Sequence, residues 1–234
     1  MKGPIKDIRG NSFYTDDNDT FGLAERFKYE EYDRGLAFDI LRHHDNGVFV
    51  DVGAGHGFYS IPAAKVNHTK VTAIEPERTS IKVLEANALL NGVSLNVVPR
   101  ALAEVNDERD NEYAYDFLAL HGVVPASNIT LLKVDIEGYD FKAIRGMKKS
   151  IEASPNIKII VEFFPKKLEA AGDSPEEFIS YLKAQGFKVD YLNHNEYFNH
   201  GTNPIIRHVS YQDVMNIYKK QGVEVGNLFC YKDN

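Results

Sequence analysis

The segment VFVDVGAGHG, residues 48–57, decides the fold. Its first five residues are β-branched or apolar except for Asp51, which is typical of a buried strand. Glycines follow at positions 53, 55 and 57, and residues 60–66 have a helical pattern. Glycines at such a turn permit a tight bend and let backbone N–H groups approach a ligand. A helix N-terminus there favours an anion. The segment therefore predicts a ligand-binding strand–turn–helix unit.

The same alternation of strand and helix continues along the chain. Strands are predicted at 48–52, 70–74, 95–98, 130–134, 157–163, 187–192 and 223–231, and helices at 27–43, 60–66, 77–90, 140–150, 174–185 and 211–220. This order predicts an α/β fold with a mainly parallel sheet covered on both faces. Residues 1–25 are polar and predict a loose N-terminal arm, and residues 26–234 predict a single domain.

Composition excludes several classes of protein. The 234 residues include 27 Lys and Arg against 34 Asp and Glu, a formal charge of −7, and one cysteine. A single cysteine excludes an internal disulfide framework, and Cys230 is expected to be a packing residue. The negative charge disfavours a general DNA or RNA binder. Because no signal segment or apolar run of about 18 residues is visible, we expect a cytoplasmic protein without a membrane span. The acidic run 104–116 is expected to be an exposed connection, with a substrate lid as the alternative.

An acid follows the glycines at a spacing that suggests a nucleoside cofactor. Glu75 ends the next predicted strand, 18 residues after Gly57. In doubly wound folds an acid about 20 residues on binds ribose hydroxyls. A dinucleotide fingerprint would need glycine or alanine where Phe58 stands, so an NAD(P)-dependent oxidoreductase is a disfavoured alternative. The remaining alternative is that the glycines serve only a tight turn.

Four segments narrow the cofactor further. VFVDVGAGHGFYSIPAAK (48–65), AIEPERTSIKVLEANALLNG (73–92), LLKVDIEGYDFKAIRG (131–146) and IKIIVEFFP (157–165) together resemble the FkbM family of S-adenosylmethionine-dependent methyltransferases. The resemblance covers roughly residues 29–165. It implies a Rossmann-like class I methyltransferase sheet of order 3-2-1-4-5-7-6, with strand 7 antiparallel.

The resemblance also implies an activity, a cofactor and a set of binding residues. The family methylates hydroxyl oxygens, so the expected acceptor is a small molecule, sugar or natural product, with DNA not expected and RNA disfavoured. S-adenosyl-L-methionine is the expected cofactor. Many relatives carry Asn at the position of Gly55, where glycine keeps the backbone role but loses a side-chain contact. Many class I enzymes carry an acid near the adenine where Arg100 and Ala101 stand, so adenine contacts here are expected from the backbone. The expected cofactor residues are Asp51, Gly53, Gly55, His56, Gly57, Glu75, Pro76, Arg100, Ala101 and Asp135.

Three carboxylates are candidates for the chemistry. Asp135 and Glu137 follow the fourth sheet strand two residues apart, so a continuing strand would point both the same way. They predict a general base, a partner for the sulfonium, or part of an Mg²⁺ site. Glu162 interrupts an apolar strand and needs a partner if buried, for which Lys133 is the obvious candidate. The alternatives are helix-start acids at 137–140 and a structural ion pair at Glu162.

Three hypotheses remain for the chain as a whole. The favoured one is an O-methyltransferase whose catalytic candidates are Asp135, Glu137 and Glu162. The alternatives are the NAD(P)-dependent oxidoreductase and a methyltransferase-like binding protein that has lost catalysis. The histidines lack metal-ligand spacing and no Cys/His cluster exists, so no zinc site is expected. His56, inside the glycine segment, is the histidine best placed for substrate.

Overall fold

The computed structural model describes residues 1–7, 10–18, 47–66, 69–102, 104, 107–108, 116–118, 128–192 and 205–233. The helix predicted at 27–43 and most of the acidic run 104–116 lie outside these residues. The strands are β1 (Lys2–Lys6), β2 (Ser12–Thr15), β3 (Val48–Val52), β4 (Lys70–Ile74), β5 (Asn96–Val98), β6 (Ala101–Leu102), β7 (Asp107–Glu108), β8 (Asp116–Leu118), β9 (Ile129–Val134), β10 (Lys158–Phe163), β11 (Lys188–Leu192), β12 (Ile205–Ile206) and β13 (Gly226–Tyr231). The helices are α1 (Ser60–Ala64), α2 (Arg78–Leu90), α3 (Asp140–Gly146), α4 (Lys148–Glu152), α5 (Pro165–Ala170), α6 (Pro175–Ala184) and α7 (Tyr211–Gln221).

The main sheet has the predicted topology. Its order is β5-β4-β3-β9-β10-β13-β11-β12. The strands from β5 to β10 pair in parallel, whereas β13 is antiparallel to both β10 and β11. When the seven strands from β5 to β11 in this sheet are numbered by their order along the chain, the sheet reads 3-2-1-4-5-7-6. The prediction is confirmed, and the two-residue β12 extends the sheet at one edge.

Each face of the sheet has its own apolar layer, because side chains alternate along a strand. One face contributes Val52, Leu132 and Val161 to the larger core, which includes side chains of α3 and α6 such as Phe178. The other face packs residues such as Ile160 against α1 in a smaller cluster. Cys230 is completely buried in the larger core, as its predicted packing role requires, and burial raises the pKa of its thiol.

The N-terminal segment differs from the predicted loose arm. Strands β1 and β2 form a two-stranded antiparallel sheet, here called the N-terminal sheet, which lies against α2. Phe13 is fully buried with Phe58 and Ile61. Asn91, the C-cap of α2, accepts from the Ser12 N–H at 3.1 Å and donates to the Ser12 carbonyl at 2.6 Å. These contacts involve residues far apart in sequence, so the local polar composition does not indicate them.

Two further differences concern helices. The single helix predicted at 140–150 is split into α3 and α4, because the backbone of buried Met147 leaves helical geometry with ψ near 2°. Helix α5 was not predicted, since six residues are too few to show a helical period. None of the helices within the described ranges has the length and apolar character needed to cross a membrane.

Substitution of Phe178 tests how much the packing of the larger core against α3 contributes to stability. Its side chain is fully buried and stacks on Phe141 with ring centroids 4.7 Å apart. We expect Phe178→Ala to lower the free energy of unfolding by about 3–5 kcal/mol, because it leaves a cavity. Leu89→Ala removes an apolar side chain that is 83% exposed and should change stability by less than about 0.5 kcal/mol. Urea denaturation of both variants gives the comparison, and equal losses would contradict the assigned core.

Candidate active site

The turn after β3, residues 53–57 and here called the glycine loop, depends on two close approaches. Gly53 has φ of +81°, and a Cβ there would lie 2.1 Å from the Asp135 carbonyl oxygen. Gly57 has φ of +88°, and its Cβ would lie 2.6 Å from Leu84 of α2. Both positions therefore require glycine for space as well as for conformation. The loop is pressed between the end of β9 and α2.

Glu75 holds the glycine loop from the end of β4. Its two carboxylate oxygens accept from the N–H groups of Gly55 and Glu77, each at 2.8 Å. Burial raises the pKa of Glu75, and the two backbone hydrogen bonds oppose that shift. Each oxygen keeps further acceptor capacity. The ribose role of Glu75 stays a prediction. The structure adds that Glu75 holds the glycine loop by accepting from the Gly55 N–H.

Asp51 and His56 lie behind the loop. Asp51 is 1% exposed and accepts a hydrogen bond from the Ser60 hydroxyl at 2.5 Å, so it connects β3 to the first turn of α1. Burial raises its pKa to about 7, against the effects of Ser60 and Lys133. His56 is 2% exposed, with Nε2 3.9 Å from an Asp16 oxygen. Neither side chain is among the residues that line the cavity beside the loop, and the substrate-facing position of His56 stays a prediction.

A cavity of about 310 Å³ opens at the carboxyl ends of β3 and β4. Ligands of doubly wound sheets bind at this edge. Four predicted cofactor residues, Gly53, Pro76, Arg100 and Ala101, lie together in its wall. The other lining residues are Val52, Ile74, Leu102, Ile136 and Tyr139. Tyr139, which is 51% exposed, was not predicted, although an aromatic residue at the start of a helix beyond the sheet edge was a usable signal.

Next to the cavity wall, the ends of β9, β10 and β13 bring together four polar side chains. Glu162 is opposite Asn227 in the β10–β13 register. Lys133 is completely buried, and its Nζ lies 3.2 Å from Asp135 Oδ2 and 2.9 Å from Asn227 Oδ1. The Lys133 ammonium also lies 5.2 Å from the centre of the Tyr59 ring. Lys133, predicted as the partner of Glu162, forms an ion pair with Asp135. Asn227 was missed, because nothing local marks an asparagine in a late strand as a site residue.

Asp135 and Glu162, here called the carboxyl pair, lie next to each other at the sheet edge. Burial raises the pKa of Glu162 to about 8, with the carboxylates of Asp135 and Asp140 adding to the shift and Lys133 opposing it. The Glu162 side chain hydrogen-bonds Asp135. The other oxygen, Oε2, is buried and has no hydrogen-bond partner among the described residues. The pair can therefore accept or release a proton at the sheet edge.

Glu137 does not join this pair. The strand ends at Val134, and Glu137 has a left-handed backbone with φ of +58°. Its exposed side chain forms an ion pair with Lys167. The expectation that a continuing strand points Asp135 and Glu137 the same way is therefore wrong. Asp140 instead accepts from the N–H groups of Ile136 and Gly138 at 3.0 and 2.9 Å, so the helix-start interpretation applies to it.

The described residues provide little support for a metal. Across the described ranges, no group of three or more His, Cys, Asp or Glu side chains is arranged to hold an ion. The Mg²⁺ suggested by two neighbouring carboxylates therefore gains no third protein ligand from that part of the chain.

The raised pKa of Glu162 predicts how the free energy of unfolding depends on pH. Its pKa is about 8 in the folded chain and ordinarily near 4.5, so folding favours the protonated form. This contribution is complete below the unfolded pKa and is lost as pH rises through the folded pKa. We expect the stability of the wild type relative to Glu162→Gln to fall between about pH 5 and about pH 9. Urea denaturation measures it, with the exposed Glu169→Gln as a control whose difference from wild type stays flat. A stability difference between wild type and Glu162→Gln that does not change with pH would contradict the raised pKa of Glu162.

Sequence comparisons agree with this geometry. Residues 114–189 match the methyltransferase FkbM domain, and residues 36–118 match ribosomal protein L11 methyltransferase (PrmA). The ribosomal protein L11 methyltransferase of Caldicellulosiruptor bescii is 37% identical over 60 residues, which are 26% of this chain and 20% of that protein. The matched segment thus spans a fifth of the relative's length. The FkbM match confirms the predicted class of cofactor, S-adenosylmethionine.

Solved structures share the fold at low sequence identity. Precorrin-6y C5,15-methyltransferase of Geobacter metallireducens has a TM-score of 0.53 at 13% identity, with 94% of both chains covered. An rRNA methylase of Streptococcus thermophilus has a TM-score of 0.55 at 12% identity, covering 88% of this chain and 99% of that one. A protein of Streptococcus mutans solved with S-adenosylhomocysteine has a TM-score of 0.53 at 12% identity, covering 87% and 99%. The chain therefore has the class I methyltransferase fold, and the match at residues 114–189 confirms its resemblance to the FkbM methyltransferases.

Proposed function

We propose that the protein is an S-adenosylmethionine-dependent methyltransferase that methylates a hydroxyl oxygen of a small molecule or glycan. The observation that carries this proposal is the contact between the two halves of the site. Gly53 lines the cavity, and its Cα lies against the main chain of Asp135. A cofactor in the cavity and a proton acceptor in the carboxyl pair would therefore share one edge of the sheet.

The residues present fit the parts of this cofactor. The apolar wall with Pro76, Ala101 and Tyr139 suits an adenine ring, and Glu75 at the end of β4 suits the ribose hydroxyls. Four N–H groups of the glycine loop, those of residues 53, 54, 55 and 57, already donate within the protein and hold the shape of the loop beside the cavity. Asp135 is close enough to the loop to stabilise the sulfonium charge.

The carboxyl pair supplies the proton chemistry. When bound, the cofactor supplies an electrophilic methyl group on a sulfonium. Attack by the acceptor oxygen on that methyl group would form the carbon–oxygen bond, leave the electron pair of the broken carbon–sulfur bond on sulfur, and release the hydroxyl proton. Asp135, held by the Lys133 ammonium at 3.2 Å, accepts the hydroxyl proton, directly or through Glu162. Positioning the oxygen in line with the methyl group provides further rate.

The extents of the two family matches bear on the acceptor. The ribosomal protein L11 methyltransferase match covers 36–118, which contains the glycine loop and Glu75 but none of the carboxyl pair. It therefore supports a shared cofactor half. The FkbM match at 114–189 contains Lys133, Asp135 and Glu162. The acceptor half thus resembles the family that methylates hydroxyl groups, and the net charge of −7 disfavours RNA.

Cofactor binding is the first test. S-adenosylhomocysteine at 100 times its Kd should stabilise the protein by about 2.7 kcal/mol. NAD⁺ at the same concentration should produce no shift in the thermal unfolding midpoint, because Phe58 replaces the third dinucleotide glycine. Stabilisation by NAD⁺ alone would establish the oxidoreductase alternative, and no shift with either ligand would contradict the cofactor site.

Transfer of a labelled methyl group to a panel of monosaccharides and hydroxylated natural products is the second test. We expect Asp135→Asn to lower kcat by roughly 10²–10⁴-fold, the usual contribution of a general base. Glu169→Gln, on the exposed face of α5, is the control and should keep full activity. Binding of S-adenosylhomocysteine without transfer to any of these acceptors, but with transfer to a ribosomal protein or RNA, would refute the hydroxyl acceptor. Repeating the assay with a chelator tests whether Mg²⁺ takes part.

A further inference from the structure

We infer that Asn87 of α2 is a positioning residue for the glycine loop and that, through it, the N-terminal sheet contributes to cofactor binding. This inference rests on the proposed function, because it assigns a role in cofactor binding to residues that do not line the cavity.

One side chain joins the sheet and the loop. Asn87 is completely buried, and its Oδ1 accepts from the Tyr14 N–H at 2.6 Å. Its Nδ2 donates to the Tyr14 carbonyl and to the His56 carbonyl, both at 3.0 Å. Both donor hydrogens of the amide are thus used, one on β2 and one on the glycine loop. Asn87 therefore ties the middle of the loop to the N-terminal sheet.

Two more contacts connect the same elements. Phe13 of β2 packs near Phe58, with ring centroids 6.4 Å apart, and both belong to one buried cluster with Ile61. Beyond β2, an Asp16 oxygen lies 3.9 Å from Nε2 of His56. The N-terminal segment is consequently in contact with the glycine loop and with the residue that follows it.

The loop needs external anchors because of its composition. Its three glycines all have positive φ and supply no side chains that would fix the backbone. Glu75 holds the N–H of Gly55, and Asn87 holds the carbonyl of the next residue, His56. These two anchors act on neighbouring residues and fix the shape of the loop beside the cavity that Gly53 lines. A loop ordered in advance pays less conformational entropy when the ligand binds.

Asn91 provides a matched control one helical turn later. Its amide binds the Ser12 N–H and carbonyl as Asn87 binds those of Tyr14. Its other hydrogen bonds are to Lys65 and to the Asn87 carbonyl, so it holds the N-terminal sheet without touching His56. Loss of Asn91 loosens the sheet, whereas loss of Asn87 also releases the loop.

Calorimetric titration with S-adenosylhomocysteine tests the assignment. We expect Asn87→Ala to weaken binding about tenfold, as loss of one buried hydrogen bond does, and Asn91→Ala to weaken it by less than about threefold. Thermal unfolding without ligand measures the stability lost by each variant. Equal affinities of the two variants would overturn the inference. Failure of the wild type to bind would instead overturn the proposed function itself.

Hydrogen exchange of the wild type tests the same coupling without a mutation. Because coupling between two sites is reciprocal, saturating S-adenosylhomocysteine should slow amide exchange in residues 10–18 as well as in residues 53–60. Protection of residues 53–60 with unchanged exchange at 10–18 would show that the sheet is not coupled to the loop, even if Asn87→Ala fails to fold.

Discussion

The structure of the site depends on how closely β3 and β9 approach each other at their carboxyl ends. The Asp135 N–H donates to the Val52 carbonyl at 3.0 Å. Gly53, the residue after β3, lies so near the Asp135 carbonyl that a Cβ on it would be 2.1 Å from the carbonyl oxygen. This contact fixes the glycine loop and the first acid of the carboxyl pair against one another. The backbones of two neighbouring strands therefore bring the glycine loop and the carboxyl pair, the proposed cofactor-binding and proton-accepting groups, side by side.

The buried ammonium of Lys133 organises the acids around this contact. It lies opposite Asp51 in the β3–β9 register and bonds Asp135 and Asn227. A buried charge is costly unless paired and hydrogen-bonded, so these partners stabilise the ammonium inside the fold. Lys133 also opposes the rise in the pKa of Glu162 that burial and the neighbouring carboxylates cause.

Local pattern predicted the elements that local physics controls. Residues 48–52 and 70–74 form strands as predicted, because β-branched runs bounded by turn residues are unambiguous. The strand order followed from the family resemblance, since no single periodicity encodes it. Sequence missed what tertiary contacts decide, such as the Asn87 and Asn91 amides that dock β2 over 70 residues away. The prediction that Glu137 points the same way as Asp135 was wrong. The backbone at Glu137 is left-handed, so its side chain does not take the direction that a continuing strand would give.

A crystal structure of the protein with S-adenosylhomocysteine tests the central claim most directly. The account predicts adenine in the cavity against Pro76, Ala101 and Tyr139, ribose hydroxyls on Glu75, and the sulfur facing Asp135 at the glycine loop. A ligand bound elsewhere, or one whose sulfur lies on the far side of the loop from the carboxyl pair, would contradict the claim that one sheet edge holds both cofactor and base.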